Sequence, residues 1–208
     1  MPVVAVLDYD MGNLHSACKG LELAGATPIV TNDPAQVARA DGLVLPGVGS
    51  FDPAMQKLRA AGLEQPIHDA IAQGKPFLGI CLGLQLLFES SDEGTAAGLG
   101  VLPGHVAKFT PEPGLTIPHM GWNQLHLTQP DHPLWQNLGS APWMYFVHSY
   151  YVVPRDPALT AAQTTHGSQT VTVAVAQANL MAVQFHPEKS AQDGIKLLTN
   201  FVQWLGQV

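Results

Sequence analysis

The first half of the chain alternates short apolar runs with segments whose apolar residues recur at helical spacing. The apolar runs predict buried strands at residues 3–8, 28–31, 42–46 and 77–80. The helical spacing predicts helices at residues 14–24, 54–61, 63–73 and 82–89. Because strands and helices alternate, this half of the chain predicts an α/β domain with a mainly parallel sheet.

The second half is richer in extended patterns. Strands are predicted at residues 106–109, 122–127, 143–153, 161–165, 170–177 and 180–185. A last helix is predicted at residues 191–204. The sequence contains no linker, internal repeat or low-complexity segment, so we expect a single domain over residues 1–208.

Composition and charge narrow the classes of function. Hydrophobic residues make up 46% of the 208 residues and charged residues 12%, which is typical of a folded domain with a full core. The net charge is −7 and no basic run stands out, which argues against a nucleic-acid partner. No apolar stretch is long enough to span a bilayer, and the first residues lack the pattern of a signal peptide.

The two cysteines lie in unlike contexts. Cys18 falls on the apolar stripe of a predicted helix, where core packing is its expected role, whereas Cys81 joins a strand to a helix. Neither suggests a disulfide framework, so a reducing cytoplasm is the simplest location. No Cys/His spacing resembles a zinc site, and no metal is predicted.

Cys81 is the strongest candidate for a nucleophile. Gly79 and Gly83 flank it at the point where the strand turns into the helix, and glycines let the neighbouring backbone approach closely at such an elbow. A sulfur at a helix N-terminus is favoured as thiolate, and the amide of Leu82 can supply one oxyanion donor. The alternative is a buried structural cysteine.

A base and a group that orients it are available near the end of the chain. His186 and Glu188 are two residues apart, and in extended conformation they would point to the same side. A carboxylate beside an imidazole fixes the tautomer of the ring and stabilises imidazolium. The alternative is a surface turn. His119 and His148 lie in unusual aromatic surroundings, where packing and function are both open.

The elbow GICLGLQ at residues 79–85, the segment FHPEKS at 185–190 and their order in the chain resemble the class I, triad-type glutamine amidotransferases. The resemblance implies hydrolysis of glutamine to glutamate and ammonia through a cysteinyl thioester, with the ammonia passed to a synthase partner and no cofactor. It also implies a flavodoxin-like fold, in which added antiparallel strands extend a mainly parallel sheet flanked by helices.

Narrower motifs at residues 45–51, 118–123 and 145–150 are similar to those of the glutaminase subunits of imidazole glycerol phosphate synthase. The resemblance implies a role in histidine biosynthesis and a heterodimer in which the partner is a barrel-shaped cyclase subunit. Two alternatives stay open. One is the glutaminase subunit of another class I enzyme, for anthranilate, aminodeoxychorismate or pyridoxal phosphate synthesis. The other is a non-catalytic α/β module with an oxidisable elbow cysteine.

The resemblance also implies a role for individual residues. Cys81 corresponds to the nucleophile, His186 to the base and Glu188 to the residue that orients it. The oxyanion donors are the amide of Leu82 and that of Val48 or Gly49. The implied substrate-binding residues are Gly47, Gln85, Glu93, Ser149 and Tyr150. The implied partner-interface residues are Asn13, Met120, Trp122 and Lys189.

The segment around Val48 invites a hypothesis about regulation. Glycines on both sides make the Val48 peptide easy to rotate, so its N–H could turn toward the substrate only when the synthase is loaded. An ordinary strand-to-helix connector is the alternative. The chain departs from the family pattern at Asp10, where glycine is usual, and at His105, where arginine is common. The first puts loop details in doubt, and the second removes one possible interface charge.

Overall fold

The computed structural model describes residues 1–206, so the last two residues of the predicted domain lie outside the described part. The strands, numbered in chain order, are β1 (Val3–Leu7), β2 (Thr27–Thr31), β3 (Gly42–Gly47), β4 (Phe77–Cys81), β5 (Ser90–Ser91), β6 (Gly104–Lys108), β7 (His119–Gln124), β8 (His126–Leu127), β9 (Trp143–His148), β10 (Tyr150–Pro154), β11 (Thr160–His166), β12 (Gln169–Gln177) and β13 (Leu180–Val183). The α-helices are α1 (Leu14–Leu23), α2 (Pro34–Arg39), α3 (Phe51–Ala60), α4 (Glu64–Ala72), α5 (Leu82–Leu86) and α6 (Ala191–Trp204).

Five parallel strands form one half of the main sheet, in the order β2-β1-β3-β4-β13. This is the flavodoxin-like order, and the predicted mainly parallel α/β fold is confirmed. The sheet continues through the antiparallel strands β12, β10 and β6, with β5 at the edge. Strand β11 also pairs with β12, and β8 pairs with β11. Strands β7 and β9 form a separate antiparallel pair.

The helices cover both faces of the sheet, because strands buried on both sides need apolar partners on each. Helices α1 and α6 pack on one face through residues such as Leu21, Leu197 and Phe201. Helices α2 to α5 pack on the other, through residues such as Met55 and Ile67. No helix among residues 1–206 is long and apolar enough to cross a membrane.

Four sequence-based assignments differ most from the structure. The predicted strand 122–127 begins earlier, at His119, and is interrupted at Leu125, between β7 and β8. The predicted strand 143–153 is wrong as one element, because the chain bends at Ser149 and passes from the β7–β9 pair into the main sheet. The predicted helix 82–89 ends at Leu86, because the chain turns there to form β5. Helix α2 was not predicted, although Asp33 caps its N-terminus and Pro34 occupies its first position, which are both start signals.

Candidate active site

Cys81 lies at the C-terminal end of β4, immediately before α5, in a strained backbone conformation. Its φ is 56° and its ψ is −111°, a region that residues with a side chain rarely occupy and that costs about 1–3 kcal/mol. The flanking glycines permit the sharp turn. A Cβ at Gly79 would lie 2.9 Å from the Ala182 Cβ, and a Cβ at Gly83 would overlap the Leu45 carbonyl oxygen. The surrounding packing therefore holds Cys81 at a nucleophile elbow.

His186 follows β13 and meets Glu188 in a buried pair. His186 Nδ1 lies 2.7 Å from Glu188 Oε1, and the two side chains are only 3% and 4% exposed. The expectation that the two residues would be extended is wrong. Residues Pro187–Lys189 form a 3-10 turn, and this turn brings the carboxylate back to the imidazole. With Nδ1 engaged by the carboxylate, Nε2 is the ring nitrogen left for chemistry.

The surroundings of His186 favour the protonated ring. Burial lowers the pKa of His186, but hydrogen bonding and charge attraction from Cys81 and Glu188 outweigh it, so that the pKa lies well above its ordinary value. At neutral pH, His186 therefore holds a proton between the sulfur and the carboxylate. This is the state in which an imidazolium can donate to a leaving group while the sulfur attacks as thiolate.

A cavity of about 350 Å³ opens over Cys81 at the carboxyl ends of the parallel strands. The structure brings most of the predicted substrate and oxyanion residues into its wall, together with the nucleophile and the base: Val48, Gly49, Cys81, Leu82, Gln85, Glu93, Ser149, Tyr150 and His186. Pro118, Val147 and His148 also line it and were not predicted as site residues. Gly47 and Glu188 do not line the cavity and lie behind its wall.

Two glutamine side chains connect the cavity wall to the sulfur. Gln85 Nε2 donates to the Tyr150 carbonyl oxygen at 3.3 Å and to Gln184 Oε1 at 3.0 Å. Gln184 Nε2 lies 3.8 Å from Cys81 Sγ. Because both amide hydrogens of Gln85 are engaged, Gln85 can offer only its carbonyl oxygen to a ligand. Sequence reasoning missed Gln184, although a glutamine inside the apolar run 180–185 was the signal. In the structure its side chain is fully buried.

Glu93 places a carboxylate in the cavity wall, on the loop after β5. Its Oε2 accepts a hydrogen bond of 2.8 Å from the Phe51 amide at the start of α3. That bond orients the side chain, and a half-buried carboxylate is suited to a ligand ammonium group. The geometry is consistent with the predicted substrate role of Glu93.

In the segment after β3, the Val48 N–H is hydrogen-bonded within the protein and does not serve as an oxyanion donor. Val48 N–H donates to the Met11 carbonyl oxygen at 3.1 Å, and Gly49 has a φ of +94°, where glycine is favoured. The Val48 peptide would therefore have to rotate before its N–H could stabilise an oxyanion. The Leu82 amide, at the first position of α5, needs no such change.

Close packing beneath this segment explains why Gly47 is a glycine. A Cβ there would lie 2.6 Å from Tyr9 Oη and 2.9 Å from the Leu82 Cβ. Tyr9 Oη donates to the Pro46 carbonyl oxygen at 2.7 Å. Burial, followed by the charge of Cys81, raises the pKa of Tyr9, which stays a neutral donor. Asp10 has a φ of 62°, so it adopts the left-handed turn that glycine would make, which aspartate tolerates.

A patch of exposed apolar side chains lies on the small sheet formed by β7 and β9. Met120 and Trp122 of β7 are 63% and 49% exposed, and Trp143 of β9, which sequence reasoning missed, is 49% exposed on the same pair of strands. Three large apolar side chains on one strand pair are more than scattered surface residues, and they indicate a protein-docking face. Asn13 and Lys189 are also exposed, as is His105.

Comparisons with known proteins agree with this geometry. The model of the glutamine amidotransferase class-I family matches residues 5–204. The chain is 70% identical over 201 residues to the imidazole glycerol phosphate synthase subunit HisH of Synechococcus elongatus, covering 97% of this chain and 93% of that protein. It is 68% identical over 202 residues to the subunit of the same name from Nostoc punctiforme, covering 97% and 96%.

Solved structures with low sequence identity share the fold. The PurLQS structure from Thermotoga maritima aligns with a TM-score of 0.77 at 21% identity, covering 98% of this chain and 99% of that one. A crystal structure of a glutamine amidotransferase aligns with a TM-score of 0.74 at 19% identity, covering 98% of both chains. At these identities the likeness concerns the fold alone.

Proposed function

Because the chain belongs to the class I glutamine amidotransferase family, we propose that it is the glutaminase subunit of an imidazole glycerol phosphate synthase and that it works as a single domain. The observation that carries the proposal is the convergence, in one cavity, of the strained Cys81 elbow and the buried His186–Glu188 pair. Relatives named as HisH subunits at 64–70% identity favour this member over other class I enzymes.

The chemistry follows from the positions of the three side chains. The Cys81 thiolate attacks the side-chain amide carbon of glutamine, and the oxyanion forms against the Leu82 amide. The His186 imidazolium donates its proton to the departing nitrogen, which leaves as ammonia, and a thioester remains. Neutral His186 then takes a proton from water, the hydroxide displaces the sulfur, and glutamate is released with the thiolate restored. Glu188 orients His186 throughout.

The segment at Val48 supports a regulated glutaminase. The Val48 N–H donates to the Met11 carbonyl oxygen, so the Leu82 amide is the one donor in place for the oxyanion. The second donor becomes available only when the Val48–Gly49 region rotates. Loss of one oxyanion donor costs about 10²–10³ in kcat in serine proteases, whose acyl-transfer step forms a similar oxyanion. Glutamine hydrolysis by the isolated chain is therefore weak, and it rises when the loaded partner favours the rotated peptide.

The partner in this proposal is a barrel-shaped cyclase subunit that uses the ammonia to form imidazole glycerol phosphate and aminoimidazole carboxamide ribotide in histidine biosynthesis. The exposed apolar face on β7 and β9 supports docking, with Met120 and Trp122 as anchors and Asn13 and Lys189 at the edge. Glutamine is the substrate, and no cofactor takes part. The unpaired cysteines Cys18 and Cys81 support a cytoplasmic location.

The test is a Cys81→Ser variant assayed in complex with the cyclase and its nucleotide substrate. We expect glutamine-dependent product formation to be lost, whereas product formation with added ammonia stays at the wild-type level because the cyclase is untouched. Cys18→Ser is the matched control, since Cys18 packs against the core away from the cavity. Retention of glutamine-dependent turnover by Cys81→Ser would overturn the proposal.

A further inference from the structure

Two buried histidines face one another across the small sheet. His119 of β7 and His148 of β9 are directly paired in the strand register, and His119 Nδ1 lies 3.0 Å from His148 Nε2. The His119 ring is stacked between Phe146, with centroids 4.8 Å apart, and His166, at 4.3 Å. Buried polar groups cost free energy unless they are hydrogen-bonded, so this contact needs a defined donor and acceptor.

The surrounding atoms determine which nitrogen carries each proton. His148 Nδ1 lies 2.8 Å from the Tyr150 carbonyl oxygen, which can only accept, so Nδ1 carries the hydrogen. In a neutral ring, Nε2 of His148 is then an acceptor, and His119 Nδ1 must donate to it. The same reasoning leaves His119 Nε2 as an acceptor.

Asn123 supplies the matching donor at the outer end. Asn123 Nδ2 lies 3.2 Å from His119 Nε2 and donates to the Thr165 carbonyl oxygen at 2.9 Å, and its Oδ1 accepts from the Gln124 amide at 2.8 Å. The contacts with Thr165 and Gln124 fix the orientation of the Asn123 amide without reference to the histidine. Every hydrogen bond from Asn123 to Tyr150 therefore points in one direction, toward the cavity.

Both rings are neutral at physiological pH. Burial lowers the pKa of His148 to about 3, and burial together with the charge of nearby His166 lowers the pKa of His119 to about 4. A neutral pair is what the one-directional pattern requires, because an imidazolium would place two donors where one acceptor is needed.

The row of hydrogen bonds that starts at Asn123 ends at Tyr150, one of the predicted substrate-binding residues. The Tyr150 carbonyl that accepts from His148 also accepts from Gln85, which in turn meets Gln184 beside Cys81. His148 and Tyr150 flank the Ser149 bend, where the chain leaves the small sheet for the main one. A side chain bonded two residues ahead closes such a bend and fixes its peptide groups.

We propose that His119 and His148 are positioning residues that hold the Ser149 bend in the geometry that binds glutamine, and that they link this bend to the docking strand β7 through Asn123. The proposal rests on the glutaminase function proposed above and adds two residues to it. Strand β7 also carries Met120 and Trp122. A partner bound to that strand therefore contacts the element that begins the hydrogen bonds from Asn123 through His119 and His148 to Tyr150, which lines the substrate cavity.

The kinetic test uses His119→Phe and His148→Phe in the complex with the cyclase, because phenylalanine keeps the ring volume and removes the hydrogen bonds. We expect either change to raise the KM for glutamine about tenfold, the effect of losing one or two such bonds. Alkylation of Cys81 by iodoacetamide, which needs no glutamine site, should stay within about twofold of wild type. The matched control is His166→Phe, which lies in the same aromatic cluster but outside the chain of bonds, and its KM should not change.

A rescue variant and a measurement on the wild type exclude a merely structural role. His148→Asn keeps a donor near the Nδ1 position, so its KM for glutamine should return most of the way from the His148→Phe value to the wild-type value. If the histidine only fills space, the variants would lose stability and turnover, and asparagine would not restore the KM. Nitrogen NMR of the unaltered protein should find His119 and His148 both neutral with the proton on Nδ1. Protons on Nε2, or imidazolium at neutral pH, would overturn the proposal.

The outcomes separate this inference from the proposed function. A wild-type complex that does not hydrolyse glutamine would overturn the proposed function itself. A wild-type complex that hydrolyses glutamine, together with unchanged KM in both phenylalanine variants, would overturn only the positioning role of His119 and His148.

Discussion

Gly83→Ala tests whether the elbow depends on close backbone approach. Gly83 is the second residue of α5, and its Cα faces the backbone of β3. A Cβ there would overlap the Leu45 carbonyl oxygen and lie 2.9 Å from the Leu45 carbonyl carbon. Both contacts are with the backbone of a central parallel strand, so no side chain can rotate to relieve them.

The sign of the effect distinguishes this packing from ordinary helix propensity. On propensity alone, alanine in place of glycine would stabilise α5 by about 1 kcal/mol. Overpacking in a core costs about 1–3 kcal/mol, and because β3 cannot yield locally we expect the upper end, about 3 kcal/mol. For a chain of this length, such a loss lowers Tm by roughly 6–12 °C. The forced shift also separates the Val48 segment from Cys81, and a misplacement of about 1 Å costs about 10² in rate.

Calorimetry and glutamine hydrolysis in the complex with the cyclase measure the two effects. Gly42→Ala is the matched control, because it adds a methyl group to β3 itself but its close contact is with the tip of the Leu205 side chain, which can move, and its nearest backbone atom, the Pro76 carbonyl oxygen, is 3.3 Å away. We expect it to cost about 1 kcal/mol or less and to keep activity. A Gly83→Ala variant with unchanged or higher Tm and wild-type hydrolysis would refute the account of the elbow.

Three further predictions concern other parts of the molecule. Folding raises the pKa of His186, so the protonated ring stabilises the folded protein fully below about pH 6.5, and this stabilisation is lost as the pH rises through the raised pKa. Glu188→Gln should therefore destabilise the protein less as the pH increases, as measured by urea titrations. Trp122→Ala should weaken binding to the cyclase by about 30-fold or more in calorimetric titrations, whereas Leu23→Ala, also an exposed apolar residue but on α1, should leave binding unchanged. Asn179→Ala removes two hydrogen bonds to carbonyl oxygens of Ile71 and Lys75 before β4 and should lower the free energy of unfolding by about 1–3 kcal/mol, measured by denaturant titration.

Much of the fold followed from local patterns. The alternation of apolar runs and helical spacing in the first half predicts the parallel strands, because strands buried on both faces are continuously apolar. The elbow was readable because it is a local feature, in which Gly79, Cys81 and Gly83 lie within five residues of one another. Resemblance of motifs then indicated the family, which the match over residues 5–204 and relatives at up to 70% identity support.

The assignments that failed depend on contacts between distant segments. Residues 143–153 form one extended run by propensity, yet the bend at Ser149 arises because β9 pairs with β7 while β10 pairs with β6 and β12. Glu188 was expected to lie on the same side as His186 in extended conformation, whereas residues Pro187–Lys189 form a 3-10 turn. Such pairings depend on partner segments many residues away in the chain, and a pattern read over a few neighbouring residues contains no information about them.

The sequence by itself determined the residue types available to the site: a cysteine between glycines, a late histidine with a carboxylate two residues on, and apolar side chains at β7. Only the tertiary structure decided which of these groups contact one another. In the folded chain the Val48 N–H donates to the Met11 carbonyl oxygen, and His119 lies next to His148 so that a row of hydrogen bonds runs toward Tyr150. The physical reason is that hydrogen-bond direction depends on distances and burial, which arise only when separate strands are brought together.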